Sequence, residues 1–207
     1  MSDTIKHLLK AAVAAGFLAA ATAALANAEL NKAAPAFDAL GADGKPLKLD
    51  GYKGKTVVLE WTNHECPFVA KHYDSGNIPN LQKDAAGKGV VWLQVLSSAP
   101  GKQGHVDGAT AQKLNGSRKA APTATVLDPD GKIGKLYGAQ TTPHIFIVNA
   151  AGQLVYKGGI DSIPTADKND LPKAENYVSA ALAAISAGKP VEKANTRPYG
   201  CSIKYAG

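Results

Sequence analysis

Residues 60–71 of the chain read Glu-Trp-Thr-Asn-His-Glu-Cys-Pro-Phe-Val-Ala-Lys, so that Cys66 is followed at once by Pro67. The stretch continues an apolar run that starts at residue 56, which predicts a buried strand over 56–61 and then a short polar turn. Proline is well tolerated at the first position of a helix, because its missing N–H would have no partner there. The Cys-Pro step therefore predicts that Cys66 stands directly before a helix.

A cysteine at the start of a helix has a specific chemical consequence. The unpaired N–H groups and the dipole of the first helical turn favour an anion. A thiolate is such an anion, and stabilising it lowers the pKa of the thiol and makes the sulfur reactive near neutral pH. The alternative is a buried and unreactive cysteine, which is what most free cysteines are. The position of Cys66 between a strand and a helix favours the reactive interpretation.

Composition and charge exclude some classes of function. The chain has 207 residues, which fits one domain with short extensions, and 45% of them are hydrophobic, enough to build a core. The formal net charge of +6 is scattered, without a basic run or a basic stripe interleaved with aromatic residues. A nucleic-acid partner is therefore not expected.

The N-terminal residues 1–28 have the composition of a secretory signal peptide. A basic start is followed by the small, apolar run 11–24 and then by Ala-Asn-Ala at 26–28, the pattern at which signal peptidase cuts. The apolar run is too short to span a membrane. We expect cleavage near Ala28 and a periplasmic or secreted protein; the alternative is an N-terminal helix that stays attached.

Export would place the protein in an oxidising compartment, where an even number of cysteines invites a disulfide. Cys66 and Cys201 are the two cysteines of the chain. Cys201 lies in a polar, irregular tail that also carries two tyrosines and an isoleucine. Such residues predict that the tail docks onto the body of the protein.

The pattern of apolar runs predicts a linker at 29–36, a domain at 37–190 and the tail at 191–207. Continuous apolar strands separated by helices indicate parallel pairing with both faces covered, whereas the spacing of the last two strands indicates an antiparallel hairpin. The predicted fold class is α/β, with a central mixed sheet and helices on both faces. The predicted elements are a hairpin at 37–49, strands at 56–61, 90–96, 123–127, 145–148 and 153–157, and helices after Cys66 and at 79–86, 106–114, 133–137 and 172–187.

This order of elements, with a Thr-Pro step before the hairpin, resembles the thioredoxin fold over residues 37–187. More narrowly, the segments 63–69, 142–144 and 200–204 resemble the peroxiredoxin-like branch of the redoxin family, which is grouped with alkyl hydroperoxide reductases and thiol-specific antioxidants. The resemblance implies a cis bond between Thr142 and Pro143, with Thr142 beside Cys66. It also implies an antioxidant or disulfide-reducing enzyme without a dissociable cofactor.

Two reactions of the Cys66 thiolate are open. Attack on a peroxide gives a sulfenic acid, which a second thiol condenses into a disulfide. Attack on a protein disulfide gives a mixed disulfide, which also needs a second thiol. Val69 stands where thioredoxins have their second cysteine, so Cys201 is the candidate resolving thiol within the chain. The expected partners are a peroxide or protein disulfide as substrate and a thiol protein as reductant.

Several residues near the two cysteines are expected to shape the site. His64 or His144, when protonated, would favour the thiolate further, whereas Lys71 is expected to be a solvated charge. The predicted site-shaping residues are Thr62, Asn63, His64, Pro67, Thr142, Pro143 and His144.

Other functions remain open at this point. His64, Cys66 and His72 offer imidazole and thiolate ligands of the kind that suit copper or zinc, so a non-enzymatic metal- or partner-binding module is one alternative. A second alternative is that Cys66 and Cys201 form only a structural disulfide. Cys201 is also free, in principle, to remain unpaired or to pair between chains.

Overall fold

The structure is a computed structural model that describes residues 28–207. The predicted signal peptide lies outside the described residues, except for Ala28. Over residues 28–207, no helix has the length and apolar character that crossing a membrane requires.

The described chain contains nine strands and five α-helices. The strands are β1 Asp38–Gly41, β2 Pro46–Lys48, β3 Val57–Trp61, β4 Val91–Leu96, β5 Ala124–Leu127, β6 Thr141–Thr142, β7 His144–Val148, β8 Leu154–Gly158 and β9 Cys201–Ser202. The helices are α1 Pro67–Asp74, α2 Asn77–Gly87, α3 Gly108–Ser117, α4 Lys132–Tyr137 and α5 Tyr177–Ser186, with 3-10 turns at Leu49–Tyr52 and Lys168–Lys173.

Seven strands form one mixed sheet in the order β2-β1-β5-β4-β3-β7-β8. The central strands β3, β4 and β5 pair in parallel, and the remaining neighbours pair antiparallel. Parallel pairing requires a crossover between the strands, and α1 with α2 and then α3 provide the two crossovers. The expected mixed sheet is confirmed.

Strand β3 lies in the interior of the sheet, between β4 and β7, and all five of its residues are buried. Its side chains alternate between two cores on opposite faces. One face holds Trp61, Phe146 and residues of α4, and we call it the Trp61 core. The other holds Ile145, Ile147, Cys66 and residues of α1, α2 and α5, and we call it the Ile145 core. Helices therefore cover both faces, as the sequence predicts.

A buried carboxylate holds α1 against β3. Glu60 of β3 is fully buried, and its side chain accepts hydrogen bonds from Tyr73 Oη at 2.7 Å, Trp92 Nε1 at 2.7 Å and Gln82 Nε2 at 3.2 Å. Burial raises the pKa of Glu60 above its ordinary value, although the three hydrogen bonds oppose that shift. Because Tyr73 belongs to α1, this network fixes the position of α1, the helix that begins after Cys66, relative to the sheet.

Two helix boundaries differ from the sequence prediction. Helix α2 begins at Asn77 rather than near Pro79, because Gly76 (φ 79°) reverses the chain directly after α1 and leaves Pro79 in the first turn, where proline is tolerated. Helix α5 begins at Tyr177 rather than near 172. The reason is that Pro172 lies within a 3-10 turn and Asn176 caps α5 by accepting a hydrogen bond from the backbone N–H of Ser179 at 2.9 Å.

The C-terminal tail packs against the body of the protein and contacts both cores. Its strand β9 pairs antiparallel with β6, so that Cys201 lies opposite Thr142. On one side of Cys201, Tyr199 packs against the Ile145 core, and on the other side Ile203 is buried in the Trp61 core. The backbone N–H of Ile203 also donates to the carbonyl oxygen of Gln140 at 3.0 Å.

The predicted linker at 29–36 also lies along the body. The backbone N–H groups of Asn31 and Ala34 donate to the carbonyl oxygens of Leu154 and Gly152 at 2.7 and 2.9 Å. The linker therefore extends the outer edge of the sheet along β8.

We predict that Gly200→Ala releases the tail. Gly200 has φ 125°, and a Cβ there would collide with the carbonyl oxygen of Thr142. Such a backbone position strains an L-residue by about 1–3 kcal/mol, so limited proteolysis of the tail should accelerate at least about tenfold. Gly51→Ala is the control, because a Cβ at Gly51 meets no described atom within 4 Å. Equal proteolysis of both variants and the wild type would show that the tail tolerates a side chain at this position.

Candidate functional site

Cys66 occupies the position directly before α1, as predicted. Its backbone is extended (φ −86°, ψ 121°), and Pro67 is the first helical residue. Its carbonyl oxygen accepts the first helical hydrogen bonds, from the N–H groups of Val69 at 3.0 Å and Ala70 at 2.9 Å. The side chain is fully buried in the Ile145 core. The sulfur therefore lies at the N-terminus of α1 and is covered from solvent.

The Thr142-Pro143 step lies beside this sulfur. The peptide bond between the two residues is cis, as the family resemblance implies. The carbonyl oxygen of Thr142 lies 3.1 Å from Cys66 Sγ and accepts a hydrogen bond from the thiol form. Thr142 and Cys66 are thus in direct contact.

The tail brings the second cysteine to the same place. Cys201 Sγ lies 2.7 Å from Cys66 Sγ, although the two residues are 135 positions apart. The antiparallel pairing of Thr142 with Cys201 sets this position, and Thr142 Oγ1 donates a long hydrogen bond of 3.4 Å to the carbonyl oxygen of Cys201. Cys201 is half-buried, whereas Cys66 is fully buried. The outer sulfur therefore covers the inner one within one chain.

The two thiols differ in acidity. Burial alone would raise the pKa of Cys66, but hydrogen bonds from the Cys201 thiol and from the backbone N–H groups of Val69 and Cys201 outweigh it, so the pKa is lowered. Burial and the neighbouring Cys66 raise the pKa of Cys201 to about 11, although Lys204 opposes the shift. Because the two thiols are in contact, the titration steps belong to the pair. The inner sulfur is the more acidic of the two, and the outer sulfur holds its proton to higher pH.

The polar turn before Cys66 is held by Asn63. Asn63 Oδ1 accepts a hydrogen bond from the backbone N–H of Glu65 at 2.9 Å, and its carbonyl oxygen accepts one from Cys66 N–H at 3.1 Å. Thr62 continues β3, since its N–H donates to the carbonyl oxygen of Val95 at 3.2 Å. The buried hydroxyl of Thr62 has no hydrogen-bond partner among residues 28–207.

The expectation that a protonated histidine assists the thiolate is not met. His144 lies on the opposite face of the sheet from Cys66, with its ring 4.5 Å from that of Phe146, and its Nδ1 accepts a hydrogen bond from Gln140 N–H at 3.2 Å. Burial lowers its pKa to about 3. Burial also lowers the pKa of His64. His144 is therefore neutral at pH 7, and burial disfavours the charged form of His64.

A buried cluster that sequence reasoning missed lies behind α1. Lys71 is 3% exposed, so the expectation of a solvated charge is wrong. Its Nζ lies 3.2 Å from Asp161 Oδ2 and donates to the carbonyl oxygen of Ile163 at 3.0 Å. The counter-ion, Asp161, lies in the segment after β8. The sequence around Lys71 therefore gives no sign that this lysine is paired and buried.

The same cluster anchors the tail. Tyr199 Oη donates to Asp161 Oδ1 at 2.5 Å and lies 3.0 Å from His72 Nε2. The Tyr199 ring also packs edge-on against Phe68 of α1, at a centroid distance of 5.9 Å. Tyr199 stands two residues before Cys201, so these contacts hold the outer sulfur over the inner one. The one sequence signal was the presence of a tyrosine in a polar tail.

The metal-binding alternative is not supported by the described residues. His72 is fully buried, and its two ring nitrogens contact Tyr199 and, at 2.8 Å, Asn77 Nδ2. Burial lowers its pKa to about 4. In the part of the chain from residue 28 onward, no three His, Cys, Asp or Glu side chains come together to hold a metal ion. The predicted set His64, Cys66 and His72 is therefore not assembled.

We predict that Tyr199→Phe destabilises the protein by about 1.5–3 kcal/mol, the net worth of a hydrogen bond to a charged group. The variant keeps the aromatic ring but removes the hydrogen bond from Tyr199 Oη to the buried Asp161, which keeps its ion pair with Lys71. Urea unfolding measures the loss. Tyr205→Phe is the matched control, because Tyr205 Oη donates to a neutral carbonyl oxygen, that of Ala139, at 2.8 Å, and should cost about 0.5–1.5 kcal/mol. A smaller loss for Tyr199 than for Tyr205 would contradict the anchor.

We predict that acid destabilises the fold through its two buried histidines. The pKa values of His72 (about 4) and His144 (about 3) lie below the ordinary value near 6.5. Unfolding therefore takes up protons below about pH 6.5, and stability that is present above that pH is lost as the pH falls towards 4 and 3. Each histidine contributes a slope of up to about 1.4 kcal/mol per pH unit.

His144→Asn tests the acid slope, because asparagine keeps an acceptor for Gln140 N–H but does not titrate. The free energy of unfolding, measured between about pH 7 and 4, should fall less steeply in the variant by about 1.4 kcal/mol per pH unit. An unchanged slope would mean that His144 is not buried in its neutral form.

Comparison with known proteins places these features in a family. The family model described as Redoxin matches residues 29–178, and no curated protein matches the chain. Among solved structures, an uncharacterized conserved protein from Geobacillus kaustophilus aligns with a TM-score of 0.72 and 25% identity, over 86% of this chain and 93% of that one. A hypothetical protein from Sinorhizobium meliloti aligns with a TM-score of 0.68 and 22% identity, over 86% and 96%.

A third similar structure is described as a thioredoxin domain. The thioredoxin domain of a thiol-disulfide oxidoreductase from Bacteroides vulgatus aligns with a TM-score of 0.50 and 21% identity, over 70% of this chain and 96% of that domain. At this identity the likeness shows the fold alone, and it agrees with the observed order of strands and helices. The Redoxin match spans well over half of the 207 residues, and the chain belongs to the redoxin family, with a thioredoxin-like fold.

Proposed function

We propose that the chain is a thiol oxidoreductase in which a peroxide oxidises Cys66 and Cys201 resolves the product. The observation that carries the proposal is the 2.7 Å contact between the two sulfur atoms at the start of α1. The lowered pKa of Cys66 supports its role as the attacking group, because the thiolate is the nucleophile.

In the first step, the Cys66 thiolate attacks one oxygen of a hydroperoxide. An S–O bond forms and the O–O bond breaks, so the cysteine is oxidised to a sulfenic acid and the peroxide is reduced. The other oxygen leaves as an alkoxide or hydroxide and takes a proton from solvent. The side chain of Cys66 is fully buried beneath Cys201, so this step requires the tail to move aside and admit the hydroperoxide.

In the second step, Cys201 resolves the sulfenic acid. Its sulfur attacks Cys66 Sγ, an S–S bond forms, and the hydroxyl group leaves with the Cys201 proton as water. The register of β6 with β9 already holds the two sulfurs together. The step therefore needs no second chain and no dissociable cofactor.

In the third step, an external thiol reduces the disulfide. Cys201 is half-buried and Cys66 is fully buried, so the incoming thiolate attacks Cys201 Sγ. Cys66 then leaves as the thiolate, and its lowered pKa makes it the better leaving group. A second thiol completes the reduction and returns Cys201 to its thiol form.

Exchange with a protein disulfide is a second candidate reaction. Strand β9 pairs with β6 through two residue pairs, Thr141 with Ser202 and Thr142 with Cys201. Displacing so short a pairing would free a backbone edge beside Cys66, and an extended peptide from a substrate could pair there. This reaction requires the whole pairing of β9 with β6 to separate, a larger movement of the tail than a small hydroperoxide needs.

We also propose that the protein acts outside the cytoplasm. The basis is the sequence of residues 1–28, which combines a basic start, an apolar run and an Ala-Asn-Ala cleavage pattern. A redox cycle through an internal disulfide suits an oxidising compartment.

We predict that Cys201→Ser traps the intermediate. When reduced protein meets one equivalent of hydrogen peroxide, mass spectrometry should show the wild type losing two hydrogens and the variant gaining one oxygen, in a form that a sulfenic-acid reagent captures. Cys66→Ser should show neither change. A wild-type protein whose thiols survive both peroxide and an oxidised peptide would refute the proposal. If the disulfide were only structural, Cys66→Ser would lower stability but leave peroxide consumption intact.

A further inference from the structure

A cleft lies between the tail segment 197–200, which directly precedes Cys201, and the segment after β8. Its volume is about 470 Å³, and its wall includes Gly200 and Thr141, which are the neighbours in sequence of Cys201 and of its partner Thr142. Clefts of about 300–1,000 Å³ suit small-molecule ligands. A hydroperoxide alone would leave most of this volume empty.

The cleft carries an uncompensated positive charge. Arg197 lies on its wall, is exposed, and forms no ion pair or side-chain hydrogen bond with any residue from 28 to 207. Asp161 also lines the cleft, but it is neutralised by the buried Lys71 at 3.2 Å. Lys204, three residues after Cys201, adds a second positive charge near the sulfur and acts on its pKa. Arg197 and Lys204 therefore give this part of the surface a positive charge.

The third step of the proposed cycle requires an anion at this place. The thiol that reduces the disulfide attacks as a thiolate, and it approaches Cys201 from the side opposite Cys66, because Cys66 is the leaving group. The buried Cys66 closes the inner side. The thiolate therefore approaches from the outer surface, and Gly200, the neighbour of Cys201, lines the cleft on that surface.

We propose that this cleft binds the reductant, a low-molecular-weight thiol that carries a carboxylate, and that Arg197 holds the carboxylate. The planar guanidinium matches the two oxygens of a carboxylate. This inference rests on the proposed function and names the class of reductant that the same pair of sulfurs accepts.

The chemistry of the step balances with two molecules of this thiol. The first thiolate attacks Cys201 Sγ, a mixed disulfide forms, and the Cys66–Cys201 bond breaks to release the Cys66 thiolate. The second thiolate attacks the sulfur of the bound reductant, the small-molecule disulfide leaves, and Cys201 takes a proton from solvent. The protein disulfide is reduced by two electrons, and two thiols are oxidised.

The test compares two small thiols on the peroxide-oxidised full chain. Mercaptoacetate carries a carboxylate and 2-mercaptoethanol is neutral, and the appearance of protein thiols gives the rate of reduction by each. Arg197→Gln should lower the rate with mercaptoacetate about two- to fivefold, the upper part of the range for one exposed ion pair, and leave the rate with 2-mercaptoethanol unchanged. Because each thiol serves as its own reference, differences in intrinsic nucleophilicity cancel.

Lys189→Gln is the matched control, because it removes one positive charge at an exposed position beyond α5 and should leave both rates unchanged. Equal rates in the wild type and Arg197→Gln, or an equal loss with both thiols, would overturn the assignment of the cleft while leaving the redox cycle in place. A chain that forms no Cys66–Cys201 disulfide under peroxide would overturn the cycle and the cleft together.

Discussion

The contact between Cys66 Sγ and Cys201 Sγ depends on one backbone register, the pairing of Thr142 with Cys201. The inner sulfur is fixed by the strand-to-helix step at Pro67, and the outer sulfur arrives on a tail that crosses the edge of the sheet. Cys201 contributes a hydrogen bond that lowers the pKa of Cys66, and in exchange its own pKa rises to about 11. The tail is therefore part of the chemistry of the site, and each thiol sets the acidity of the other.

Buried polar groups on both sides of α1 hold this arrangement. Glu60 ties the helix to the sheet through Tyr73, and Lys71 with Asp161 ties it to the tail through Tyr199. A buried ion pair contributes little net stability, because desolvating two charges offsets their attraction, but removing one partner is costly. Such groups favour a single arrangement of helix and tail. Apolar packing alone would tolerate a shift in register more readily.

The sequence predicts the scaffold well because its signals are local. The apolar run 56–61 and the Cys-Pro step predict β3 and α1, and the resemblance to redoxins implies the cis bond at Thr142-Pro143. The Redoxin match and the solved structures confirm that fold. By contrast, α5 begins later than expected, because the capping by Asn176 competes with a helical pattern that the sequence carries from Pro172.

The charged groups of the site were harder to predict because their partners lie far along the chain. The sequence around Lys71 predicts a solvated lysine, because its counter-ion Asp161 lies 90 residues further along the chain. The sequence also predicts that His144 lies near the sulfur, but the alternation of side chains along β7 places it on the other face of the sheet. Tyr199 carried no signal beyond its presence in a polar tail. Where side chains meet across long loops, spacing in the sequence does not reveal the charge that each of them faces.

The most direct test of the account is a pH titration of thiolate formation by ultraviolet absorbance, because this measurement does not require a reagent to reach the buried sulfur. Reduced wild-type protein should titrate in two steps, one below the ordinary cysteine value of about 8.5 and one well above it. Cys201→Ala should show a single step for Cys66, shifted upward from the first wild-type step because the hydrogen bond from Cys201 is gone. Two wild-type steps near the ordinary value, or a Cys66 step that stays in place without Cys201, would contradict the coupling of the two sulfurs.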